Sequence, residues 1–159
     1  MDLLMNFSLW AAIFAIFFAQ FVKVPIHFAV TKKLNWSLLT STGGMPSSHS
    51  AAVTALSTGI GMESGFDSNV FAISAIFAII TMFDATGVRR QAGEQAIVLN
   101  RLVTDFNKFV DEVRDWPKKA DKTKQKELKE LLGHKPLEVF FGGLTGILLT
   151  LILHYIVYL

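Results

Sequence analysis

The 159-residue chain contains no cysteine. That excludes disulfides, thiolate metal sites and cysteine nucleophiles. Charge is nearly absent from its apolar segments, and the formal net charge of +2, mixed with thirteen acids, is too small to mark a nucleic-acid partner. No internal repeat and no low-complexity segment interrupts it. The N-terminus carries no basic stretch ahead of its first apolar run and no small-residue cleavage site, so this run is expected to be a retained membrane helix rather than a signal peptide. What the chain does have is apolar bulk. Hydrophobic residues make up 52% of it, with 14 Phe, the composition of a small polytopic membrane protein.

Four apolar segments stand out: about Leu3 to Val22, continuing as a polar-striped helix to about Val30, then Ser48 to Met62, Asn69 to Phe83, and Leu137 to Tyr158. A helical span takes about 20 apolar residues, with a lower limit near 17. The first and fourth therefore qualify alone, and the second and third are marginal. Trp36 to Pro46 is too short to span and is expected to be a loop or a re-entrant piece, buried in protein or lining a wet cavity. The fold expected is an all-α polytopic membrane helical bundle of about four spans.

The links orient it. Lys23, Lys32 and Lys33 follow the first span; Glu63 and Asp67 lie between the second and third; Arg89, Arg90, Arg101, Lys108, Arg114 and the bases of 118–135 lie between the third and fourth. The positive-inside rule makes the first and third links cytoplasmic and puts both termini outside, most simply in a bacterial-type plasma membrane. In the third link, apolar residues recur at helical spacing from Ala96 to Trp116, and a Lys/Glu-rich stretch from Asp121 to Leu132 stops at Gly133. This predicts a cytoplasmic helical hairpin packed on its own apolar face, with membrane-surface docking or dimerisation as the alternatives. The chain then reads as a single membrane domain, 1–159, with 91–133 a charged helical insertion and a homo-oligomer left open.

The most informative short segment is Gly43-Gly44-Met45-Pro46-Ser47-Ser48-His49-Ser50, where glycine and proline bend the backbone just before a helix start. Free N–H groups, hydroxyls and an imidazole there suit an anion such as phosphate. The order of the spans puts other polar groups at the same membrane face: Lys23 at the end of span one, Asp84, Arg89, Arg90 and Glu94 after span three, and His134 with Glu138, spaced i,i+4, at the start of span four. Ionisable residues at membrane depth are costly and mark function. Each also has a structural reading. Lys23 can snorkel, Ser47 and Ser48 can cap a helix, Arg89 and Arg90 can set topology with Asp84 and Glu94 as partners, and 133–136 can be punctuation. His27 and His154 look isolated, and the small residues Gly142 and Gly146 read as a helix-packing face.

Phosphoryl transfer from a monoester needs cations and N–H donors on the equatorial oxygens, an in-line nucleophile and an acid for the leaving oxygen. Lys23, Arg89 or Arg90, Ser47 and Ser48 are candidates for the cradle. His134, oriented by Glu138, is the candidate nucleophile and His49 the acid. No cofactor and no metal is required. A metal site drawn from Asp84, Glu94, His49, His134 and Glu138 lacks compact ligand spacing.

Pro46-Ser47-Ser48-His49 resembles the second motif of the type 2 phosphatidic acid phosphatase superfamily, which includes vanadium haloperoxidases. Together with Asp84-Ala85-Thr86-Gly87-Val88-Arg89-Arg90 and Gly133-His134-Lys135-Pro136-Leu137-Glu138-Val139, it is similar to the divergent branch of that superfamily. The resemblance implies that Lys23, Ser47 and Ser48 bind phosphate, His49 acts as general acid, His134 as nucleophile, Glu138 as its orienter, and Arg89 or Arg90 as the third-motif arginine. Asp84 and Glu94 would support them. There are departures. Val30-Thr31 stands where the first motif has Arg-Pro, the third-motif arginine and histidine are separated by the whole charged link, and Glu138 replaces an Asp. The expected function is an integral membrane phosphatase acting on a membrane lipid or prenyl phosphate through a phospho-histidine. The alternative is a non-catalytic lipid- or anion-binding or transport-related protein on the same frame.

Overall fold

The structure, a computed structural model, describes residues 5–41, 43–113 and 133–159. These hold five α-helices and no strand: α1 (Phe7–Thr31), α2 (Ser48–Ser64), α3 (Asn69–Thr86), α4 (Val88–Val113) and α5 (Pro136–Tyr158), with a 3-10 turn at Trp36–Thr40. Local chemistry sets the ends. The Asn6 side chain accepts the Leu9 N–H (2.8 Å) at the start of α1, and Ser68 accepts from Phe71 (3.2 Å) at the start of α3. α1 stops where Lys32 turns left-handed and donates its N–H to Phe28 O.

The helix α2 is the centre of the bundle and packs against α1, α3 and α5. Its inner rows are small. Ala51 and Ala55 meet Ala15 and Ala19 of α1, all four fully buried. Lipid gives no hydrophobic drive between helices, so close backbone approach and interhelical hydrogen bonds hold them together. On the α5 side, a Cβ on Gly146 would strike the carbonyl of Ala51 and the Thr54 hydroxyl, and one on Gly142 would strike Ser47. Hydroxyls bridge the same seams: Thr54 Oγ1 lies 2.9 Å from Gly143 O, Thr150 Oγ1 lies 3.3 Å from Ala55 O, and Ser74 Oγ donates to Ser57 Oγ (3.2 Å).

Three stretches are long and apolar enough to cross a membrane: α1, the run Asn69–Val110, and α5. The expected second span is α2, which at 17 residues and with a Ser-, Thr- and Gly-rich sequence is not among them. Neighbours on three sides cover it, so its polar atoms find protein partners and its apolar content can be low. The third and fourth helices differ from expectation at their junction. No extended link follows the third span, because α4 begins at Val88 immediately after Gly87 and absorbs Arg89 to Glu94 into a helix. The expected stretch from Ala96 is thus the later part of α4. Trp116-Pro117 and the stretch Asp121 to Leu132, the second arm of the expected hairpin, lie outside the described residues.

At one end of the bundle, Ser8 Oγ and N–H donate to the Glu63 carboxylate, and Phe7 packs edge-on against His154 (5.4 Å) and Tyr158 (5.7 Å). At the other end lie Lys23, His49 and His134. Ser8 and Lys23 are separated by about 22 Å along α1, at ~1.5 Å per residue, so the last two turns of α1 reach past the polar end. His27 sits on that extension, bonded to Thr31 and near Lys33 O.

The α2–α5 seam makes a sharp comparison. Gly146→Val is expected to cost about 2–3 kcal/mol by overpacking, seen as a lower midpoint of thermal aggregation in detergent. Gly143→Ala, whose added methyl would find Thr54 Cγ2 at 3.4 Å and Met82 Sδ at 3.6 Å, is expected to leave the midpoint unchanged.

Candidate functional site

The bent segment before α2 is held from two sides. From α1, Gln20 Nε2 donates to Leu39 O (2.8 Å) and the buried Lys23 ammonium donates to Ser41 O (3.3 Å). From α5, the carbonyl of Glu138 accepts the Ser47 N–H (2.9 Å). Gly44 takes φ +91°, a region that favours glycine, and lies over the Lys23 stem: a Cβ there would be 3.9 Å from Lys23 Cδ. The Met45–Pro46 bond is cis. Ser47 is the N-cap of α2. Its fully buried Oγ accepts from Ser50 N–H (3.3 Å) and Ser50 Oγ (3.0 Å), so much of its hydrogen-bonding capacity goes into starting the helix. Ser48 is buried beside it, and His49 is exposed.

The separated third-motif elements meet in space. His134 N–H donates to Ala85 O at 3.0 Å, and Gly133, at φ +84°, lies against the Arg89–Arg90 backbone so closely that a Cβ would collide with it. This brings the end of α3, the start of α4 and the start of α5 to one point. The His134 ring is 2% exposed, and neither of its nitrogens has a hydrogen-bond partner among the described residues. It packs edge-on against His49, with centroids 5.8 Å apart and planes at 68°. Burial pushes the His134 pKa down to about 4, and the positive charges of Lys23, His49 and Arg89 act in the same direction. His134 is therefore a neutral imidazole at ordinary pH.

One expected pairing is not formed. Glu138 does not bond the His134 ring; its Oε2 accepts the Lys135 N–H (3.0 Å) at the start of α5. The i,i+4 spacing is helical, but His134 precedes the helix, so the two side chains do not share a helical face. Glu138 still lies within electrostatic reach of Lys23.

A cavity of about 240 Å³ opens beside His134. Gly43, Gly44, Gly133, Lys135 and Glu138 line one side, and Arg90, Gly93, Glu94 and Ile97 of α4 line the other. It has room for a phosphate group and several waters, each of which takes about 30 Å³ in the liquid. Arg90 faces it, held by Glu94 Oε1 at 3.0 Å. Arg89 instead pairs with Asp84, and both are partly exposed. Lys23, Ser47, Ser48, His49, Asp84 and Arg89 are not in the cavity lining; Lys23 lies under Gly44, and His49 lies edge-on against the His134 ring. Among the described residues no three His, Asp or Glu side chains are placed to hold a metal ion.

Of the α4 wall, Arg90 and Glu94 are among the residues expected from the sequence, and Gly93 and Ile97 are not. Arg90, Gly93, Glu94 and Ile97 are spaced i, i+3, i+4 and i+7, the stripe of one helix face, and that spacing was the available signal. Gln20, on the same helix face as Lys23, contributes more than charge spacing conveys. It anchors the segment over the site, while its Oε1 is buried without a partner among the described residues.

Comparison with known proteins agrees with this arrangement at the level of family. No solved structure matches the chain. A membrane protein of Bacillus subtilis (strain 168), YuiD, described as uncharacterized, is 72% identical over 155 residues, covering 98% of both chains. With its apolar helices, that relative makes the chain an integral membrane protein. Residues 4–149 match the Divergent PAP2 family, and the chain belongs to that family, with its phosphatase-like frame.

Proposed function

We propose that this protein is an integral membrane phosphatase that hydrolyses a lipid-borne phosphate monoester, such as a phosphatidate or a prenyl phosphate. The observation that carries the reading is His134: a buried, neutral imidazole with both nitrogens unpartnered among the described residues, against His49 and lining one cavity with Arg90. A buried polar group left without partners calls for an explanation, and a nucleophile waiting for phosphorus supplies one. The positive-inside count puts the site near the cytoplasmic face with both termini outside.

A ring nitrogen of His134 attacks phosphorus. The P–N bond forms as the P–O bond to the lipid alcohol breaks, and His49 gives its proton to the leaving oxygen. Water then attacks phosphorus and passes a proton to His49; the new P–O bond forms as the P–N bond breaks, which releases phosphate and returns His134 to its neutral form. Arg90 balances charge on the equatorial oxygens, and Lys23 and Arg89 add positive field from outside the cavity lining. Ser47 and Ser48 act mainly by shaping that helix start. Glu138 holds the Lys135 turn, and so places His134 through the backbone rather than through its ring. Asp84 and Glu94 hold the two arginines.

The test is phosphate release by purified protein in detergent from phosphatidate and a prenyl phosphate. Wild type is expected to turn over. His134→Ala is expected to abolish turnover, and His49→Ala to lower it by about 10²–10⁴-fold, the usual contribution of a general acid. Undiminished release by both variants would overturn the mechanism. Tight binding of either lipid without turnover would move the protein to the alternative, a non-catalytic lipid-binding or transport-related role on the same frame.

A second expectation concerns protonation alone. Because the His134 pKa lies near 4, its ring is to stay neutral as pH falls through 6.5 and to take up a proton only as pH approaches 4. Ring nitrogen NMR of histidine-labelled protein, with His134→Asn to assign the signal, reads this directly. A midpoint near 6.5 would overturn the shift and with it the burial of the ring as its cause.

A further inference from the structure

The helix α4 has two opposed faces. Arg90, Gly93, Glu94 and Ile97 face the cavity. On the other side, Leu99, Leu102, Val103, Phe106 and Phe109 fall at i, i+3, i+4, i+7 and i+10 and are all exposed, Leu102, Phe106 and Phe109 by more than 60%. Among the described residues this stripe has no cover. An apolar stripe of that length marks an interaction surface. Over α4 the charges balance: Arg89, Arg90, Arg101 and Lys108 against Glu94, Asp105, Asp111 and Glu112.

We propose that α4 is an interfacial helix, lying on the bilayer surface with this stripe sunk at the level of the lipid headgroups. Three observations select a lipid surface over a protein partner. The helix starts at Val88, two residues after the spanning helix α3 ends at Thr86, so the bilayer is within reach of the stripe without any association step. Its Leu/Phe stripe and charged remainder match the apolar and polar layers of a membrane surface. The stretch 121–132, the expected hairpin partner, offers only Leu128, Leu131 and Leu132 among its Lys and Glu residues, too few to cover the stripe.

The test does not depend on activity. The chain has no cysteine, so a single introduced cysteine carries the only label. Spin-labelled Leu102→Cys, Phe106→Cys and Thr104→Cys full-length proteins are reconstituted in vesicles of phosphatidylethanolamine and phosphatidylglycerol. Collision rates are read with oxygen, which concentrates in the bilayer, and with a water-soluble nickel chelate. Labels at 102 and 106 are expected to favour oxygen, and the label at 104, on the opposite face, to favour nickel. Nickel collision at 106 equal to that at 104 would put the stripe in water and overturn the proposal. Shielding of 102 and 106 from both reagents would overturn it too, by showing that a second copy or another part of the chain covers the stripe.

Discussion

Much of this protein hangs on the contact between the first turn of α2 and the first two turns of α5. Two backbones meet there directly: the Ser47 N–H donates to Glu138 O, and Gly142, with no Cβ, lets α5 lie against Ser47. A side chain at Gly142 would push the helices apart, and the hydrogen bond would go with it. Because His49 follows Ser47 by two residues and His134 precedes Glu138 by four, the same contact fixes how far apart the two imidazoles stand. Packing and site geometry are a single constraint here. That fits a membrane bundle, where close approach and hydrogen bonds replace the hydrophobic drive.

The requirement that buried backbone be satisfied extends this outward. The bent segment ahead of α2 carries carbonyls that no helix or strand pairs, and Gln20 and Lys23 take two of them, at Leu39 and Ser41. Lys23 therefore serves the loop, giving one donor to Ser41. A lysine that snorkelled freely would be exposed at its tip, whereas this one is 2% exposed.

The all-helical membrane character, the order of the helices and the convergence of polar groups at one end were legible in the sequence, because hydropathy and span order alone determine them. What was not legible is instructive. Glu138 reads as a partner for His134 by spacing, but i,i+4 brings side chains together only when both residues are helical, and the helix begins at Pro136. Arg90 and Arg89 are adjacent and alike in composition; only the phase of α4 turns the first toward the cavity and leaves the second with Asp84. Continuation of α3 into α4 across Gly87 was hidden because glycine and charge usually end a helix, while here the next residue restarts it. The separation of Arg90 from His134 in sequence gave no hint that Gly133 would rest on the Arg90 backbone.

That last contact has a topological consequence. After Ile97 the chain leaves the cavity wall, and it returns to the same cavity at Gly133. An excursion whose two ends lie at one cavity places little demand on how far the chain travels between them, and the entropy of closing a loop rises only slowly with its length. The sequence between these two points is thus free to lengthen, shorten or change character without moving His134, Arg90 or Ala85. A motif read as broken along the chain is, in three dimensions, a continuous one with room for a passenger at its seam.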